Sequence, residues 1–187
     1  MSTTRCLEIL AQGVEVWNRW RAANPGFRPD LTAASLIDLD LRRVDFSRCD
    51  LTGVNFWRSN LSQARLNDAE MILAQLHQAT LVGADLRGAR IWCSVVYSAS
   101  FQGANLAGAD LRESDFSDAD FRDADLTGVD LTDADLVGAN FRGARLDRAV
   151  AGPPTETLAQ RVPVVELQAV VSPDSKPSPK MPPRSMR

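Results

Sequence analysis

Every fifth residue from Leu31 to Leu146 is large and apolar: of these 24 positions, 15 are Leu, 6 are Phe, and the rest are Met71, Ile91 and Val96. Two residues before each, the chain is small, with Ala at 15 of the 24 positions from Pro29 to Ala144. One residue before, 15 of 24 are Asp or Asn, and eight of the eleven glycines fall two residues after the large position. Neither a helical period of 3.6 nor a strand period of 2 yields a strict period of five, whereas a chain that turns a corner every five residues does. With the large residue called the centre, centre and centre minus two point the same way, as alternate residues of an extended segment do, so both face one interior. Large and small side chains fill a narrow tube, while two large ones would overpack it. Asp and Asn bond backbone N–H groups at the corners, and Gly takes the positive φ that tight turns require.

Ahead of the repeat, Leu7, Leu10, Val14 and Trp17 recur at helical spacing with Trp20 near the same face, and Asn24-Pro25-Gly26 stops the helix. Residues 1–29 are therefore expected to form an N-terminal helical cap, with Trp17 and Trp20 in its packing, over the open end of a solenoid spanning 30–150. After Ala149 the five-residue phase stops, and residues 151–171, including RVPVVELQAVV (Arg161 to Val171), read as a far-end cap or docking segment. Residues 172–187 are rich in Pro, Ser and Lys, a composition that predicts a disordered tail.

The phrases ADLRG (Ala84 to Gly88), ANLAG (Ala104 to Gly108), ADLTG (Ala124 to Gly128) and ADLVG (Ala134 to Gly138) resemble the A(D/N)LXX motif of the pentapeptide-repeat family. The resemblance implies an all-β solenoid, a right-handed quadrilateral β-helix with four pentapeptides per coil, hence about six coils. At a coil spacing of about 4.8 Å such a rod is roughly 29 Å long. The N-terminal segment also resembles leader helices of some bacterial, including cyanobacterial, members.

Composition narrows the chemistry. The formal charge of -3 and the lack of a polybasic face give no direct nucleic-acid binding, and no run approaches membrane-spanning length, so no membrane partner is expected. Three scattered cysteines, Cys6, Cys49 and Cys93, fit a reducing, cytoplasmic setting better than a disulfide framework. His77 is the one histidine, read as a lone exposed imidazole with no ligand cluster around it, so no metal and no cofactor is expected. The Asp-rich run from Asp110 to Asp135 lacks the spacing of known calcium loops. No phosphate loop, nucleophile elbow or metalloprotease motif occurs, and a rod filled with Leu and Ala offers no substrate pocket, so an enzyme is the weakest reading.

With twenty residues per coil, outward positions become vertical columns. One column runs Ile37, Trp57, His77, Tyr97, Ser117, Val137, and its neighbour holds Ile72 and Trp92 beside Leu73 and Cys93. Exposed apolar residues gathered with Trp and Tyr mark an interface. The leading expectation is a non-enzymatic scaffold that binds a protein partner through Ile37, Trp57, Ile72, Leu73, His77, Trp92 and Tyr97, unless the N-terminal helix or the Val162 to Val171 segment covers them. A homodimer stays open. The alternative rests on acidic late coils, with Glu113, Asp118, Asp123 and Asp133 outward: some pentapeptide-repeat proteins modulate DNA gyrase, a type II topoisomerase, as acidic, duplex-sized rods. The basic early coils, with Arg42, Arg43, Arg48 and Arg58, oppose it.

Overall fold

The computed structural model describes residues 2–151 of the chain. Parallel backbone bridges link each residue before a centre to the residue twenty further on, from Asp30 with Asp50 to Asp130 with Val150. One coil therefore takes twenty residues and has four sides. Among the described residues the pairing consists of isolated bridges, where the β-helix expectation implied strands. The reason is geometric: a turn every five residues leaves one residue per side free to pair.

All 24 turns share one geometry. The residue two after each centre has φ between 53° and 75°, whether it is Gly or one of sixteen non-glycine residues such as Arg43, Leu73, Cys93 and Asp118. The residue before it keeps negative φ, the signature of a type II turn. Glycine is thus favoured there without being required.

The segment Leu106–Asp110 shows where the backbone donors go. Leu106 N–H and Gly108 N–H donate to Asp125 and Thr127 in the next coil, Asp110 N–H donates to Ala89 in the previous one, and Ala109 N–H closes the turn onto Leu106, all at 2.8–2.9 Å. The fifth donor, Ala107 N–H, goes to the side chain of Asn105 at 3.1 Å. The same bond forms at every one of the fifteen Asp and Asn residues in this register. Four donors in five are met by main chain and the fifth by a carboxylate or amide, which is why this register is rich in Asp and Asn.

Inside, the centres from Leu31 to Phe141 are buried, and Leu146 is partly so. Phe101, Phe121 and Phe141 stack in a column at 5.0 and 5.1 Å between ring centroids. The small column is buried too, except at Ala139, which is partly buried, and at Leu39, which is 41% exposed where a second large side chain would crowd the centres.

The N-terminal cap differs from the single helix read from the spacing. It is two helices, α1 (Thr3–Leu10) and α2 (Val14–Ala23), broken at Gly13 with φ 107°. The break turns the first helix so that Cys6, Ile9 and Leu10 are buried, while Leu7 and Val14 are only partly covered. Trp17 is fully buried, lies 5.3 Å from the Trp20 ring and 5.6 Å from Phe46, and donates its indole N–H to the Asp45 carbonyl at 2.8 Å. Arg21 donates to the carbonyls of Phe27 and Ser47. Helix α2 thus packs on the first coil. The expected far-end cap over 151–171 and the tail over 172–187 lie outside the described residues, apart from Ala151.

Candidate functional site

The outward column predicted from the twenty-residue repeat is a physical stack. Trp57 and His77 lie with ring centroids 5.5 Å apart and planes 24° from parallel, and His77 and Tyr97 lie 5.2 Å apart at 16°. The spacing follows from the coil repeat: side chains on neighbouring coils sit about 4.8 Å apart, close to ring-stacking distance. Trp57 and Tyr97, at the ends of the stack, are each 37% exposed. His77 is half-buried between them with Nδ1 unpartnered among the described residues, not the exposed imidazole that the sequence suggested. The Arg58 guanidinium lies 5.6 Å from the Trp57 ring centroid and pairs with Asp38 at 2.9 Å. Ile37 extends the same column toward the cap.

On the neighbouring column Leu73 is 60% exposed, with Ile72, Trp92 and Cys93 half-buried around it. Two buried hydroxyls brace the turns that carry them. Ser94 Oγ donates to the Met71 carbonyl at 2.9 Å and accepts from Ala74 N–H at 3.0 Å, closing the turn under Ile72 and Leu73. Ser114 Oγ does the same for Trp92 and Cys93, donating to Ile91 and accepting from Ser94 N–H. These serines substitute for Ala in the small column, a signal visible in the sequence but one whose bracing role needed the fold. The Trp92 indole N–H is buried and unpartnered among the described residues.

The surface also coincides with a change in turn chemistry. Ile37, Ile72, His77, Trp92 and Tyr97 each follow a residue other than Asp or Asn at the capping position: Ser35, Glu70, Gln75, Arg90 and Val95. Trp57, capped by Asn55, is the exception. Glu70 instead pairs with Arg28 at 2.7 Å, and the Gln75 amide oxygen accepts from Asn55. The chain gives up a stabilising bond in the stretch where it places aromatic and branched side chains outward.

The cap does not cover this surface. Helix α2 engages Arg43, Asp45 and Ser47, leaving Trp57 and Tyr97 exposed, while the Val162 to Val171 segment lies outside the described residues. Two clefts open where the cap meets the rod. One of about 870 Å³ is lined by Glu15, Arg42, Arg43 and Gln63, and one of about 380 Å³ by Leu7, Leu10, Leu36 and Leu39. The rod offered no pocket on the sequence reading; these clefts arise from the cap, whose path that reading did not specify.

The acidic residues divide into two groups. Asp110, Asp115, Asp120, Asp125, Asp130 and Asp135 are tied to turn N–H groups, and Asp110 and Asp120 also bind the guanidinium two residues on. Those side-chain bonds from Arg112 and Arg122 hold both carboxyls below the usual carboxylate range. Glu113, Asp118, Asp123 and Asp133 are exposed at positive-φ turn positions. Glu113 and Asp133 share one column, but Asp118 and Asp123 lie on two others, so the four do not form one patch. Glu113 accepts the Cys93 thiol at 3.4 Å, and partial burial with this carboxylate raises the thiol pKa.

No helix among the described residues is long and apolar enough to cross a membrane. No curated protein sequence matches the chain. Among solved structures it is similar to trypsin-treated QnrB1, a plasmid-mediated fluoroquinolone resistance protein, at 22% identity, with 64% of each chain covered and a TM-score of 0.41. The chain thus spans about 64% of that structure's length. It is also similar to the pentapeptide repeat protein Rfr23 from the cyanobacterium Cyanothece 51142, at 23% identity over 72% of this chain and 97% of that one, TM-score 0.28. A pentapeptide repeat protein of the Arabidopsis thaliana thylakoid lumen matches at 31% identity over 57% of this chain and 63% of that one, TM-score 0.21. The family model of pentapeptide repeats matches in 8 copies at residues 30–68, 97–133 and 124–150, passing over 69–96, the stretch where capping Asp and Asn are sparse. With the five-residue register unbroken through that gap and the turns alike on both sides of it, the chain belongs to the pentapeptide-repeat proteins.

Proposed function

We propose that the protein is a non-enzymatic scaffold whose output is protein binding through the face bearing Trp57, His77 and Tyr97, with Ile37 at its edge and Ile72, Leu73 and Trp92 on the neighbouring column. On this reading the rod is a right-handed β-helix of about six coils in the cytoplasm of a bacterial cell. The observation that carries it is the Trp57–His77–Tyr97 stack, exposed at both ends, with the turns of His77 and Tyr97 lacking a capping Asp or Asn. Rings stacked on one another are already ordered, so a partner that covers them loses little side-chain entropy and gains a large apolar area. A photo-crosslinking amino acid at Tyr97 tests it in cells. A discrete crosslinked product from position 97, absent with the same probe at Arg142, is expected; equal labelling at both sites overturns the reading.

The exposed acids Glu113, Asp118, Asp123 and Asp133 support a second reading, modulation of DNA gyrase by an acidic rod. A supercoiling assay with and without a fluoroquinolone tests it, and no effect at high micromolar protein removes it.

A further inference from the structure

We infer that the partner on this face is a second copy of the chain, the two rods lying antiparallel and face to face. The inference rests on the reading of the Trp57–His77–Tyr97 face as an interaction surface and names its occupant. A two-fold axis lying in the plane of the face and perpendicular to the rod sets each column against itself in reversed coil order, so a contact of this kind is isologous and closes at two copies.

Charge then selects the register. The column beside the stack reads Asp38, Arg58, Gln78, Ser98, Asp118, Gly138, one residue per coil. With the axis midway between the coils of His77 and Tyr97, His77 faces the partner's Tyr97, Trp57 faces the partner's Ser117 and Ile37 faces the partner's Val137. Gln78 faces the partner's Ser98, and Arg58 faces the partner's Asp118, twice by symmetry. No like charges meet along this column. Moving the axis half a coil toward the cap sets Trp57 against the partner's Tyr97, but it also sets Asp38, already bonded to Arg58, against the partner's Asp118 and leaves Arg58 facing the partner's Ser98. Moving it half a coil the other way sets Arg58 against the partner's Gly138 and leaves both ion pairs unmade. Only the middle register joins the aromatic residues and pairs the charges together.

Arg58 is placed for this role. Its guanidinium is held over the Trp57 ring and bonds Asp38 of the same chain through Nε at 2.9 Å, so the partner's Asp118 is met by its remaining N–H groups; its side chain is 56% exposed, and Asp118 is exposed at the equivalent turn position three coils on. Both stand at positive-φ positions that Arg and Asp already occupy elsewhere in the rod, so exchanging them adds no new backbone demand.

The test is a charge-swap complementation read by sedimentation equilibrium of the full chain over about 1–300 µM, the range for a moderate self-association. Wild type is expected to dimerise. Arg58→Asp sets an acid against the partner's Asp118, and Asp118→Arg sets a base against the partner's Arg58; each alone is expected to raise the Kd at least ~10-fold. When the two variants are mixed, one contact of the heterodimer joins the introduced acid to the introduced base, and the other keeps the native Arg58 and Asp118 pair. That heterodimer is expected to recover wild-type affinity. Far-UV circular dichroism checks that each variant is folded; should Arg58→Asp fail, Arg58→Gln is expected to raise the Kd several-fold without adding a like charge. A wild type that stays monomeric, single variants that dimerise as wild type does, or a mixture that stays monomeric each overturn the inference. A monomer that still crosslinks through position 97 to another protein overturns the self-pairing alone and leaves the interaction reading standing.

Discussion

The indole N–H of Trp17 donates to the carbonyl of Asp45 at 2.8 Å, joining the cap to the first coil across 28 residues of sequence. The ring is fully buried between Trp20 and Phe46. Trp17→Ala removes this packing and leaves a cavity at the cap, and should cost about 3–5 kcal/mol. Trp17→Phe keeps much of the volume but orphans the Asp45 carbonyl, and should cost about 1–3 kcal/mol. Urea denaturation of both variants measures the difference; a Trp17→Ala loss below about 1 kcal/mol would show that the cap contributes little.

Asp115 Oδ1 accepts from Ser117 N–H at 3.0 Å, whereas Tyr97, one coil earlier in the same column, follows Val95. Asp115→Ala should destabilise by about 1 kcal/mol, and Asp115→Asn, which keeps the acceptor, should be nearly neutral. Val95→Asn supplies the missing acceptor and should stabilise by about 0.5–1 kcal/mol. Amide hydrogen exchange at Tyr97 should slow in Val95→Asn, which checks that the gain arises at that donor.

Asp40, Asp85, Asp110 and Asp120 have their pKa values lowered, first through side-chain bonds from Arg42, Arg87, Arg112 and Arg122. A carboxyl whose folded pKa lies below its unfolded value contributes stability above the unfolded value, and that contribution is lost as pH falls through the folded one. Thermal midpoints should therefore be flat on this account above about pH 5 and decline below about pH 4. Arg112→Gln should lower the plateau and flatten that decline, because Asp110, with its folded pKa nearer the unfolded value, then has less stability to lose on protonation.

Cys49 is buried, and desolvation pushes its thiol up to about 12. Cys93 is half-exposed beside Glu113. Iodoacetamide at about pH 8 should alkylate Cys93 first and reach Cys49 only on unfolding. Burial raises the Cys93 thiol and the Glu113 carboxylate adds to that shift, so Glu113→Gln should accelerate its labelling. Peptide mass spectrometry over time reads both rates, and early labelling of Cys49 would contradict its burial.

Much of this was legible in the chain because the period of five is strict. Leu31 through Phe141 fall where the register puts them, and the stacking partners of His77 follow from adding and subtracting twenty. The cap was less legible: Leu7, Leu10, Val14 and Trp17 keep helical spacing across Gly13, so the pattern cannot show that the backbone breaks there. The environment of His77 was also hidden, since an outward position reads as exposed until the rings twenty residues away close over it. Leu39 shows the opposite limit. Its register points inward, and only the packing of neighbouring centres reveals that it does not fit.

The fifth N–H of a pentapeptide, met by an Asp or Asn side chain in fifteen of the 24 while main chain carries the bonds between coils, makes the rod tolerant of revision. A substitution at a capping position forfeits about 1 kcal/mol and leaves the neighbouring coils bonded. Single faces can therefore be rewritten without renegotiating the fold. From Glu70 to Val95 the chain has used that freedom, exchanging local stability for a face with a different chemistry.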